Sequence, residues 1–70
     1  MLLQTIKQGD YQAKLFKTRE GYSYKIFYKL QGKNTCVDRS YVYLNDKGIC
    51  YERMMNDLNT TMGIVKTLFD

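Results

Sequence analysis

The chain has seventy residues and a net charge of +4, with no histidine, no proline, two cysteines and seven tyrosines, which describes one small domain near the lower size limit for a self-supporting core. Without histidine the commonest general base at neutral pH is missing, and Cys36 and Cys50 form no CxxC pair. Catalysis, a metal site and a cofactor are therefore not expected. The opening Met-Leu-Leu-Gln is too short an apolar run for a signal peptide or a membrane span, so a cytoplasmic protein with free, partly buried thiols and no membrane contact is expected.

Residues 2–7 read as a short strand that ends at the turn signal Gly9-Asp10. Two longer strands follow over residues 11–18 and 22–30, joined by a turn at Glu20-Gly21. A loop of four residues is an alternative there, because Glu-Gly suits type II geometry better than the primed turns. Successive strand side chains point to opposite faces, so each run divides into two stripes. Tyr11, Ala13 and Leu15 join Tyr22, Tyr24, Ile26, Tyr28 and Leu30 on one face, which reads as core. The other face carries Lys14, Phe16, Lys25, Phe27 and Lys29. Pairing about Glu20-Gly21 sets Leu15 opposite Ile26, Ala13 opposite Tyr28, Phe16 opposite Lys25 and Lys14 opposite Phe27. A slip of one residue would turn the apolar stripe against lysines.

Gln31-Gly32-Lys33-Asn34 is the next turn, leading into a fourth strand over about 35–44. Carrying the alternation across this turn places Val37, Tyr41 and Tyr43 on the core face. It also places Arg39 there, so either Arg39 sits at a sheet margin or a bulge shifts the phase between Val37 and Tyr41. Tyr24, Tyr28 and Tyr41 read as core rings whose hydroxyls reach an edge, whereas Tyr11, Tyr22 and Tyr51 stand near element ends.

Asn45-Asp46 has the chemistry of a helix cap. Beyond it Cys50, Met54, Leu58, Met62, Val65 and Phe69 recur at helical spacing, with Leu68 adjacent. Gly63 and Asn59-Thr60-Thr61 weaken the run, and a break near residue 60 would turn residues 64–69 into a fifth strand. The stripe stays in phase across that point, so one helix is the preferred reading. The expected fold is α+β: a four-stranded antiparallel sheet, ββββα, with the C-terminal helix on one face.

Charge is unevenly placed. Residues 1–33 hold seven bases against two acids, and residues 34–70 hold four against five. A basic half invites an acidic partner. Lys14, Phe16, Lys25, Phe27 and Lys29 are the candidate partner-binding residues. Rings flanked by flexible lysines suit the apolar core and polar rim of a protein interface, and rings with lysines also suit single-stranded DNA or RNA. A homodimer is the remaining means of supporting so small a core.

The segments Tyr-Gln-Ala-Lys-Leu-Phe-Lys (11–17) and Tyr-Ser-Tyr-Lys-Ile-Phe-Tyr (22–28) give residues 11–30 a pattern that resembles small proteins of tailed phages. That resemblance implies expression inside an infected bacterium and a role in inhibiting or regulating a host protein through direct contact. The order of four strands and then a helix is also similar to that of dimeric single-stranded DNA-binding coactivator domains. It implies no functional residues, because fold alone does not license function.

Overall fold

Three two-residue turns organise the first forty residues into a meander. In the computed structural model, which describes the backbone of residues 1–69 and the side chains of residues 1–64, β1 is Leu2–Gln8, β2 Tyr11–Thr18, β3 Gly21–Leu30 and β4 Lys33–Arg39. The strands lie side by side in chain order, all antiparallel. Gly9 at φ +60° serves the first turn. Gln31 and Gly32 at +51° and +81° give the third turn the doubly left-handed backbone that matches strand twist. One helix, α1 (Lys47–Phe69), packs across β3, β2 and β4, so the fold is the four-stranded antiparallel sheet with a C-terminal helix.

The central hairpin closes one residue earlier than the sequence suggests. Its loop is Arg19-Glu20, with Thr18 paired to Gly21, so Leu15 faces Tyr24, Ala13 faces Ile26, Phe16 faces Ser23 and Lys14 faces Lys25. Two local causes favour this closure. The Thr18 hydroxyl accepts the Glu20 N–H at 3.2 Å and donates toward the Gly21 carbonyl at 3.2 Å. Gly21, at φ +135°, also lies so close to Leu44 that a Cβ there would stand 2.6 Å from its carbonyl oxygen. Every pair therefore shifts by two positions, which changes neighbours but leaves each stripe on its own face.

The core is built where the apolar stripes meet. Ala13, Leu15, Tyr24 and Ile26 from the sheet and Cys50, Met54 and Leu58 from the helix are buried, with Leu3, Ile6, Tyr11, Tyr22, Leu44, Met55 and Met62 packed around them. Tyr28 is half-buried and stacks on Tyr11 at 4.7 Å between ring centroids, while Leu30 at the strand end is exposed. Asp46 caps the helix: its carboxylate accepts the Ile49 N–H at 3.1 Å, and its carbonyl accepts the Cys50 N–H at 3.0 Å. No break occurs at residues 59–63, where Thr60 donates its hydroxyl back to the Asn56 carbonyl and Thr61 is buried. The expected stripe positions Val65, Leu68 and Phe69 have side chains outside the described residues.

β4 departs most from expectation. It ends at Arg39, not near residue 44, and an extra residue between Cys36 and Asp38 breaks the alternation. Cys36 pairs with Phe27, Asp38 with Ile26 and Arg39 with Lys25, so Val37 is the bulged residue. Arg39 consequently leaves the core face. Val37, Tyr41 and Tyr43, expected inside, are exposed, as is Cys36, expected to be partly buried. Beyond Arg39 the chain runs loosely beside the start of β3. The Ser40 N–H donates to the Tyr24 carbonyl at 3.0 Å, and Tyr22 and Leu44 exchange two backbone bonds of 2.7 and 2.9 Å.

Candidate functional site

The face of the sheet opposite α1 gathers four of the five candidate residues into one cluster. Lys14 and Lys25 are directly paired across β2 and β3. Like charges opposite one another in a sheet are unfavourable, and the two side chains diverge. The Lys14 ammonium lies over the Phe27 ring at 5.5 Å, and the Lys25 ammonium lies over the Phe16 ring at 5.8 Å. Each lysine thus covers a ring on the neighbouring strand, and both rings are half-buried rather than bare. Lys29 stands farther along β3, opposite Asn34 and exposed, on the same face but at its end.

Because of the bulge, Arg39 extends this arrangement by one strand. Thr5, Lys14, Lys25 and Arg39 are successive cross-strand partners, so three cations lie in a row across β2, β3 and β4. At ordinary strand separation the row is about 10 Å long. The positions paired onto this face from β1 through β3 include no acid. Among the described residues the side chains of Lys14, Lys25 and Arg39 meet rings rather than carboxylates. The Arg39 guanidinium lies 5.7 Å from the centroid of Tyr41, whose ring is 82% exposed. Neither Arg39 nor Tyr41 was among the candidates read from the sequence. The available signal was the implausibility of an interior arginine, which left a sheet margin and a bulge as the alternatives.

At the β4 end of the row lies an open recess of about 320 Å³, lined by Ser23, Lys25, Arg39, Ser40, Tyr41 and Tyr43 among others. Ser40 is held in place by accepting the Tyr24 N–H through its hydroxyl oxygen at 3.1 Å. Asp38, the nearest acid in sequence, turns its carboxylate to the Arg39 backbone N–H at 2.8 Å and lines a neighbouring depression.

On the helix side the titratable groups serve the core. The Tyr24 hydroxyl donates to the Asp57 carboxylate, tying β3 to α1. Burial, and then this bond, push its ionisation well above the ordinary tyrosine range. Burial likewise raises the Cys50 thiol, with Arg53 pulling weakly the other way, which leaves Cys50 a small apolar filler. Among the described residues no group of three or more Cys, Asp or Glu side chains is placed to hold a metal ion, and no helix is long and apolar enough to cross a membrane.

Comparison with known proteins gives no further assignment: no family model, curated protein or solved structure matches the chain.

Proposed function

We propose that this chain is a small non-enzymatic accessory protein that binds an acidic surface of a partner protein through the open face of its sheet, and so inhibits or regulates that partner. The observation that carries this reading is the row Lys14–Lys25–Arg39, three neighbouring cations of which two lie over phenylalanine rings and the third over Tyr41, with no side-chain ion pair to a carboxylate among the described residues. A direct lysine pair lowers the stability of a sheet, so its presence at the centre of the face favours a role outside the fold. A desolvating acidic partner would relieve the repulsion and strengthen each charged contact. A second copy of the chain is a poor occupant, because a symmetric contact would bring two cation rows together. With the resemblance of residues 11–30 to tailed-phage proteins, the partner would be a protein of the bacterial cytoplasm.

A second reading, a single-stranded DNA or RNA module, is favoured by one specific feature. The exposed Tyr41 ring beside the Arg39 guanidinium pairs a stacking surface with a phosphate ligand. Nuclease separates the two where salt does not, because cations on an acidic protein surface are screened by salt much as three phosphate contacts are. The test is capture from a bacterial lysate by the parent chain and by the pair Phe16→Ala with Phe27→Ala, with and without nuclease. Nuclease-resistant capture of one protein, lost in the double variant, is expected. Capture that vanishes with nuclease, or that the double variant retains, would overturn the protein reading.

A further inference from the structure

The recess at the β4 end of the cation row has the composition of a ligand site in its own right. We propose that it binds a phosphoryl group joined through a sugar to a planar base, that is, a 5′-nucleotide. The recess shares Lys25 and Arg39 with the row that carries the proposed function, but a ligand there does not require a protein partner. Two cations on adjacent strands, Lys25 and Arg39, line it together with the Ser23 and Ser40 hydroxyls. Ser40 accepts the Tyr24 N–H with one lone pair of its hydroxyl, which keeps its own hydrogen available to donate. Guanidinium, ammonium and hydroxyl donors arriving from different chain segments suit a tetrahedral oxyanion better than a planar carboxylate.

The ring requirement comes from the other wall. Tyr41 and Tyr43 line the recess and are exposed, and Tyr41 already bears a guanidinium at its face. Such a ring accepts a flat group by stacking while the attached phosphate reaches Arg39 and Lys25. At about 320 Å³ the recess lies at the small end of ligand sites, suited to a single nucleotide unit rather than a large cofactor. A phosphotyrosine side chain has related chemistry. The nucleotide is favoured because Lys14 stands next in the row beyond Lys25, one further cation for a ligand able to carry more than one phosphate.

The test is a two-dimensional NMR titration of the full chain with 5′-AMP, adenosine, inorganic phosphate and phenyl phosphate at one fixed salt concentration. Saturable shifts with 5′-AMP are expected at the amides of residues 23–25 and 39–43, with phosphate weaker and adenosine without effect. Arg39→Gln should weaken 5′-AMP about tenfold or more. Tyr41→Ala, at an exposed position that the core does not need, should reduce 5′-AMP to the level of phosphate and leave phosphate unchanged. Amide dispersion verifies that each variant is folded. Several outcomes would overturn the assignment: no shift, shifts spread over all the lysines without saturation, or adenosine binding as well as 5′-AMP. Tighter binding of phenyl phosphate than of 5′-AMP would overturn the nucleotide in favour of a phosphotyrosine.

Discussion

Replacing Gly21 by alanine tests the contact on which the far end of the sheet depends. Two separate costs arise. At φ +135° an L-residue is strained by about 1–3 kcal/mol. In addition, the new Cβ would stand 2.6 Å from the Leu44 oxygen, a backbone atom that cannot swing aside. Restoring an ordinary 3.4 Å contact requires Leu44 to retreat by about 0.8 Å. That movement stretches the 2.7 and 2.9 Å bonds between Tyr22 and Leu44 beyond useful length. Losing both costs about 1–3 kcal/mol net. The sum, roughly 2–6 kcal/mol, compares with a total stability of roughly 4–10 kcal/mol for a chain of this size. Gly9→Ala supplies the control, because φ is +60° there and nothing lies within 4 Å, so only a backbone cost of about 1–2 kcal/mol applies. From the middle of each range, urea unfolding followed by circular dichroism should place Gly21→Ala about 2.5 kcal/mol below Gly9→Ala, with a thermal midpoint lower by about 10–20 °C. Equal stabilities within about 0.5 kcal/mol would refute the close approach of Leu44.

Three further outcomes are expected. The folded protein holds the Tyr24 proton where the unfolded chain releases it near pH 10, so this stabilisation is complete below about pH 10 and is lost as pH rises further. Tyr24→Phe should cost about 1.5–3 kcal/mol at neutral pH and flatten the alkaline fall, as read from unfolding midpoints between pH 8 and 11; an unchanged alkaline slope would contradict the link to Asp57. Leu58→Ala, at a fully buried position, should cost about 2–5 kcal/mol and lower the thermal midpoint by at least about 8 °C, whereas Asn59→Ala on the exposed face should change the midpoint little. Lys25→Glu should abolish partner capture without lowering the thermal midpoint, because it replaces a like-charge pair with Lys14 by an opposite one; a lowered midpoint would make the lysine row a structural device instead.

What could be read from the sequence followed from periodicity. Leu15 and Ile26, or Cys50, Met54 and Leu58, fall inside because alternation and helical spacing are enforced by burial, and the helix runs unbroken past Asn59-Thr60-Thr61 because that stripe stays in phase there. Lys14, Phe16, Lys25 and Phe27 meet on one face for the same reason. Exact neighbours were not legible, because they depend on a turn whose position is set by the Thr18 hydroxyl and by the remote Leu44 carbonyl. The misplacement of Tyr41 and Tyr43 has a different origin. Their alternation suits a strand, but the segment leaves regular pairing after Arg39, and aromatic residues do not themselves report whether another layer exists to cover them.

The extra residue at Val37 is what keeps Arg39 in the row. Were β4 to pair with β3 without a bulge, Val37 would fall opposite Ile26, Asp38 opposite Lys25 and Arg39 opposite Tyr24, setting a carboxylate beside the lysines and turning the guanidinium toward the helix side. Deleting Val37 would instead leave Asp38 opposite Ile26 and Arg39 opposite Lys25, so a relative with a single-position gap there would have a straighter strand and the same binding surface.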